Sequence, residues 1–262
     1  IQNVKDSKLF YIDLSFEAKK LGGSSFSQIL NALGEDAPGV SDAKGFKKAF
    51  NLIQEFIEDE LILAGHDISA GGLITALLEM NFANIEGGLS VSLDALNEND
   101  LIKILFSENP GILIQTAQAE EVENRLKALG VDYAIIGEPI KERKLNISHL
   151  EESYSFDINS LRDTWYKSSY LLDQKQCGTD LAKQRFSNYK NQDLSFNFNP
   201  NFEGKLSQYG LKLKRETSTG IKAAIIREKG VNGDREMAYS LYRAGFDVKD
   251  IHMTDLISGR EN

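Results

Sequence analysis

The sequence predicts an α/β fold in two parts, and three observations carry that prediction. Strand-like and helix-like stretches alternate from Lys8 to about Ser148. After Cys177 the chain turns polar and Asn-rich, and both periodicities fade. Order then returns as a strand–helix–strand unit between Ile221 and Ile251. The expected division is residues 1–150 as a layered lobe, 151–220 as a helical and irregular connector, and 221–262 as the opening of another domain.

Taken in order, Lys8–Leu14 (KLFYIDL) is rich in β-formers and reads as a strand. The turn Leu21-Gly22-Gly23-Ser24-Ser25 leads into a helix expected to reach Leu33, capped by Ser24 or Ser25 and stopped by Gly34. Asp42 opens the next helix, where Phe46, Ala49, Phe50, Ile53, Phe56 and Ile57 recur at helical spacing. Leu61–Ala64 reads as a short buried strand, His66–Gly72 as a turn and Leu73–Phe82 as a helix. Strands follow at Gly88–Leu93, Gly111–Thr116 and Tyr133–Ile136, with helices at Asp100–Phe106 and Glu120–Leu129. A long helix is expected over Ser160–Gln174, with Trp165 filling a core or an interface. In the last part, Ile221–Ile226 and Phe246–Ile251 are strands around a helix over Asp234–Ala244. Parallel sheets are normally covered on both faces and larger than two strands. The expectation is therefore a cut piece of a larger α/β enzyme, with a domain opened and not finished. The start at Ile1, without Met, fits that expectation.

Composition narrows the function classes. The chain has 262 residues, 41% hydrophobic and 26% charged, as in ordinary globular proteins. A formal net charge of -9 repels phosphate backbones, so no nucleic-acid partner is expected. No apolar run approaches the roughly 20 residues of a membrane span, and the first residues lack the apolar core of a secretion signal; no membrane partner is expected. The single cysteine, Cys177, excludes an internal disulfide and fits a reducing, cytoplasmic compartment. It has no His close in sequence and reads as an inert thiol.

The sharpest local feature is the run Leu63 to Leu73, LAGHDISAGGL, in which an acid at a strand end precedes a Ser-x-Gly-Gly turn and a helix. Ligands gather at strand ends in α/β sheets. Free N–H groups at a helix start attract phosphate, glycines admit close approach, and a carboxylate beside phosphates suits Mg²⁺. The alternative is equally open at this point: Asp67 and Ser69 cap the helix, and the glycines only fit a tight turn. The run matches neither the Lys-Ser/Thr phosphate loop nor the dinucleotide glycine fingerprint. His66, His149 and His252 are scattered, without metal-ligand spacing. His66 reads as a core or hydrogen-bonding group, and His149, beside Glu151 and Glu152, as solvated. Glu108 precedes a strand, with a turn role as the default and a site role as the alternative. Arg227–Asn232 lies at the carboxyl end of a strand, where a ligand could approach.

Two stretches together resemble one family. They are LGGSSFSQILNALGEDAPGV, continuing to LILAGHDISAGGLITALLEMNFA and LFSENPGILIQ, and then IREKGVNGDREMAYSLYRAGFDVKDIHMTDLISGR. In this order they resemble the large, single-chain phosphoribosylformylglycinamidine synthases. The resemblance covers nearly the whole chain, including LRDTWYKSSYLLDQKQ, and is weakest in the Asn-rich stretch. It implies that residues 1–150 are an α+β lobe of the aminoimidazole-ribonucleotide-synthetase C-terminal type, in the second of two such copies. It implies that 221–262 are a truncated flavodoxin-like βαβ opening of a class I glutaminase domain.

The implied parent is an ATP-dependent carbon–nitrogen ligase of purine biosynthesis with glutamine as amido donor. It makes formylglycinamidine ribonucleotide from formylglycinamide ribonucleotide, ATP and glutamine. On this resemblance Asp67 matches a Mg²⁺ ligand and Ser69 a contact to a structural nucleotide, with Mg²⁺ and ATP or ADP as cofactors of the parent. Ala70 stands where several relatives have Asp, and Lys229 where some have Gln. The other metal ligands, and the glutaminase Cys, His and Glu, are expected outside Ile1–Asn262, so the fragment alone is expected to be inactive and to hold no cofactor. Its expected partners are the rest of the polypeptide, small-molecule substrates and a second copy pairing through 221–262. The rivals are a stand-alone nucleotide-binding or interaction module of the same superfamily, against which the half-built βαβ sheet argues, and a small-molecule dehydrogenase, against which the missing glycine fingerprint argues.

Overall fold

Strand β1, Lys8–Asp13, is buried on both faces: Leu9 and Tyr11 point to one side of a sheet, Phe10 and Ile12 to the other. That two-sided burial follows from four consecutive apolar or aromatic residues at a period of two. The structure, a computed structural model, describes residues 1–188, 197–210, 214–215 and 217–261. The chain divides into two compact units, Ile1–Gln192 and Asp193–Asn262.

In the first unit a seven-stranded mixed sheet has the order β2-β4-β1-β5-β3-β6-β7. Its strands are β1, β2 (Ala64–Asp67), β3 (Gly88–Ser92), β4 (Gly111–Thr116), β5 (Tyr133–Ile140), β6 (Lys144–His149) and β7 (Glu152–Asp157). All neighbours are antiparallel except β3 and β6, which are parallel. One face carries helices α3 (Gly72–Phe82) and α4 (Leu101–Phe106), over Leu73, Leu77, Ile104, Leu9 and Leu113. The other carries α2 (Ala43–Glu58) and α5 (Ala119–Leu129), over Leu52, Phe56, Leu126, Phe10 and Ile114. The remaining helices of this unit are α1 (Ser25–Ile29), α6 (Ile158–Cys177) and α7 (Thr179–Asn188).

Several boundaries differ from the sequence reading, each for a physical reason. Helix α1 ends at Ile29, short of Leu33, because Asn31 adopts a left-handed φ of 52°. The apolar run at Leu61 closes α2: Glu60 is left-handed and the Leu61 N–H returns to the Phe56 carbonyl. The strand instead spans Ala64–Asp67, where His66 and Asp67 pair with Leu113 and Ile112. The α2 face that is buried is Ala49, Leu52, Ile53 and Phe56, while Phe50 and Ile57 are exposed. The hairpin β6–β7 was not expected. In β6, Leu145, Ile147 and His149 alternate inward, so His149 is buried rather than solvated, with its Nε2 3.2 Å from the Asn99 carbonyl. Strand β7 is an exposed polar edge and carries almost no apolar signal. Helix α7 lies in the stretch read as irregular, and the rest of the Asn-rich run, 189–196, is outside the described residues.

The second unit holds β8 (Lys222–Arg227), α8 (Asp234–Arg243), β9 (Asp247–His252) and α9 (Met253–Ile257). Strands β8 and β9 are parallel, in register from Lys222 with Asp247 to Arg227 with His252. Arg215 fastens the lower end. It donates to the carbonyls of Gly245 and Phe246, pairs with Asp247 at 3.3 Å and lies over the Tyr242 ring.

Candidate functional site

Asp67 is the last residue of β2, and its side chain is 77% exposed. Ser69 and Ala70 are also exposed. The Ser69 carbonyl accepts the Gly72 N–H at 3.0 Å, closing a tight turn. Gly71 and Gly72 both have left-handed backbones, at φ 90° and 74°. A Cβ on Gly72 would lie 2.6 Å from the Leu105 carbonyl oxygen, so α3 can start this close to the end of α4 only at glycine. The N-cap of α3 is Gly71, which has no side chain to cap the helix, and neither the Asp67 nor the Ser69 side chain bonds to its first N–H groups. The cap role for Asp67 and Ser69 is thereby excluded, and both residues are left exposed on the turn.

The turn is braced from three sides. His66 Nδ1 lies 2.7 Å from the Asp67 carbonyl, and its Nε2 lies 3.2 Å from Glu79 Oε2 on α3. Glu108 Oε1 accepts the Gly71 N–H at 2.8 Å and also the Ser25 N–H at 2.8 Å. The neighbouring Asn109 is fully buried; its amide donates to the Ala18 carbonyl and to Ser15 Oγ, and its Oδ1 accepts the Lys20 N–H. The segment Ser107–Pro110 thus joins the Ser15–Ser25 loop to the β2–α3 turn. Burial pushes the Glu108 carboxyl up, but the hydrogen bonds from Gly71 and Ser25 outweigh it and hold the pKa below the ordinary value.

A separate concavity of about 360 Å³ is lined by Tyr11, Asp13, Phe16, Lys19, Glu98 and Tyr133, among others. Lys19 donates there to the Tyr11 hydroxyl and to Asp13 Oδ2 at 3.3 Å. Burial lowers the Lys19 pKa and raises that of Tyr11. Burial pushes Asp13 up, but Lys19 and the hydrogen bonds from Ser15 bring it below its ordinary value. No local pattern announces this cluster, because Tyr11 and Asp13 fall within the run read as a strand and Lys19 lies beyond it.

Among the described residues no group of three or more His, Cys, Asp or Glu is arranged to hold a metal. No helix among the described residues is long and apolar enough to cross a membrane. Cys177 donates to Asp173 at 3.1 Å, and that contact raises its thiol pKa, the opposite of nucleophile activation. Arg227 is engaged with Asp250 at 2.7 Å.

Comparison with known proteins settles the family. The family model for AIR synthase related protein, C-terminal domain, matches residues 8–149. The chain belongs to that family. A second model, the CobB/CobQ-like glutamine amidotransferase domain, matches residues 220–262. Over 97% of its length the chain is 35% identical to the "Probable phosphoribosylformylglycinamidine synthase, chloroplastic/mitochondrial" of Arabidopsis thaliana. Over 99% it is 33% identical to the "Probable phosphoribosylformylglycinamidine synthase" of Caenorhabditis elegans. It spans only 18% and 21% of those two relatives. Among solved structures, Thermotoga maritima PurL complexed with ATP aligns at 19% identity and a TM-score of 0.46, over 60% of this chain and 26% of that one. At that level the likeness has no weight for function.

Proposed function

We propose that this chain is part of a phosphoribosylformylglycinamidine synthase, a ligase of purine biosynthesis that joins ATP-dependent amide activation to glutamine-derived ammonia. The observation that supports the reading is the identity of 35% and 33% with two proteins of that name, over 97% and 99% of the chain. On this reading the first unit is a nucleotide-binding lobe and 221–262 belong to the glutaminase. The rest of the polypeptide and small-molecule substrates are the partners, and the cytoplasm is the compartment. The lone cysteine supports a reducing location.

The residues of the β2–α3 turn fit a Mg²⁺-nucleotide. Asp67 offers an exposed carboxylate and Ser69 stands exposed beside it, at the turn that leads into α3. Mg²⁺ commonly takes one or two carboxylates and completes its shell with water and phosphate oxygens, so one carboxylate from this chain suffices. Bound there, the cation would neutralise phosphate charge. Asp67 would offer a carboxylate oxygen to the cation and Ser69 would hydrogen-bond the nucleotide, while Gly71 and Gly72 shape the turn against Thr75 and the end of α4. Glutamine hydrolysis is not expected of the chain alone, since Cys177 is its only thiol and is not activated.

Calorimetric titration with ADP and ATP, with Mg²⁺ and with EDTA, tests the reading. Mg²⁺-dependent binding that Asp67→Asn weakens is the expected result. Binding with no dependence on Mg²⁺ or on Asp67, or no binding at all, would overturn the site. Ammonia released from glutamine by the chain alone would overturn the expected inactivity.

A further inference from the structure

One carboxylate oxygen, Glu108 Oε1, accepts two main-chain N–H groups from two different turns: Ser25, after the Gly22-Gly23-Ser24 turn, and Gly71, at the start of α3. Each turn has other bonds of its own, among them those from the Gly22 and Gly23 N–H groups to the Asp36 and Leu33 carbonyls in the first. Ser24 caps α1, and Ser69 accepts from Gly72. The Phe26 and Phe106 rings, next in sequence to Ser25 and Ser107, stack at 4.7 Å, and the residue after Glu108, Asn109, is fully buried and bonded on both sides of its amide. Glu108 therefore enters from a rigid support and carries a full negative charge, since the same hydrogen bonds keep its carboxyl ionised. The β2–α3 connection adds a second carboxylate, Asp67.

Resting on the nucleotide reading above, we propose that Glu108 is a positioning residue: a built-in anion that ties the Ser25 turn to the Gly71 turn and makes phosphate binding on this face depend on a divalent cation. The physical basis is simple. Two turns whose N–H groups converge need an acceptor, and Glu108 supplies it from within the chain. A bare triphosphate coming to this turn then meets Glu108 and Asp67 as like charges. A Mg²⁺ complex meets them as partners. Glu108 sets the distance between the turns, while Asp67 and Ser69 make the contacts.

Three versions of the 262-residue chain test this: the natural one, Glu108→Gln and Glu108→Ala. Glu108→Ala leaves the two N–H groups without their acceptor, and free acetate can replace the lost carboxylate. Its melting temperature should rise as sodium acetate replaces chloride at constant ionic strength up to about 100 mM, as for any ligand bound only by the folded state. The natural chain and Glu108→Gln, which keeps an acceptor oxygen, should not respond. No acetate-specific rise in the alanine variant, or an equal rise in the natural chain, overturns the tie.

The second readout is the ratio of ATP affinity with Mg²⁺ to that with EDTA. Removing the Glu108 charge in Glu108→Gln should shrink this ratio about tenfold, the effect of one nearby like charge in a partly solvated site. An unchanged ratio overturns the cation dependence, and it decides the matter if Glu108→Ala does not fold. If the natural chain binds no ATP even with Mg²⁺, the nucleotide reading falls and the cation dependence with it. The acetate response then still decides, separately, whether Glu108 ties the turns.

Discussion

The indole Nε1 of Trp165 donates to Glu79 Oε1 at 3.0 Å, so that a residue of α6 is tied to the same α3 carboxylate whose other oxygen faces His66. Trp165 is half exposed, and its ring also lies 5.7 Å from that of Phe82. It therefore locks α6 onto α3 instead of filling the core. It is also the only tryptophan.

Trp165→Phe keeps most of the ring contact and removes the hydrogen bond. The expected cost is about 1 kcal/mol, the usual net worth of such a bond, measured by urea denaturation. Intrinsic fluorescence of the natural chain should report undocking of α6 from α3. A transition seen by fluorescence well before that seen by circular dichroism would mark α6 as a separately melting element.

Gly72→Ala should destabilise the first unit severely. The left-handed φ alone costs roughly 1–2 kcal/mol for a residue with a Cβ. The new methyl would also sit 2.6 Å from the Leu105 carbonyl oxygen, which belongs to the packed end of α4. A loss well above 2 kcal/mol is expected, on the order seen for overpacking added to strain. A chemical-denaturation midpoint equal to that of the natural chain would contradict the close approach.

Asp67→Asn should leave apo stability within about 0.5 kcal/mol, because its side chain is exposed and caps nothing. The same change should abolish most of the stabilisation by Mg²⁺-nucleotide. The two halves are read from one thermal-shift series, with and without ligand. A large apo loss would restore the cap role that the geometry denies.

Asn109→Ala removes three hydrogen bonds to the Ser15–Lys20 loop from a fully buried position. Leaving buried partners unpaired costs about 1–3 kcal/mol each when water cannot replace the lost group. Hydrogen exchange should show the loss of protection at the Lys20 amide, whose acceptor is Asn109 Oδ1. Unaltered exchange there would show that the loop is held by other means.

Acid should weaken the Asp13–Lys19–Tyr11 cluster in a defined direction. The Asp13 carboxyl titrates below its ordinary value of 3.8, because the nearby Lys19 cation and the Ser15 hydrogen bonds outweigh burial. A depressed acid contributes stability that is complete above the unfolded pKa and is lost as pH falls through the folded one. The window is therefore below about 3.8. In Asp13→Asn the stability profile should be flatter across that window and lower at neutral pH, where Lys19 has lost its carboxylate. Parallel profiles for the two proteins would remove Asp13 from the acid response.

The two-part order of elements was legible because apolar periodicity is local. Leu9 to Ile12, the α2 face and the βαβ unit around Gly233 each declare themselves within a few residues. The Asp67–Gly72 run stood out for the same reason: an acid, a serine and two glycines in sequence have few structural uses. Tertiary structure alone decided where β2 begins, since its register is set by hydrogen bonds to β4, far along the chain. It alone revealed β7, a polar edge strand with no apolar face to announce it. It decided between the cap and the open turn at Asp67, because a cap is a matter of side-chain direction. It alone brought Glu108 to Ser25 and Gly71, since no local pattern encodes a hydrogen bond between distant turns, and a carboxylate before a strand looks the same whether it faces water or two main-chain N–H groups.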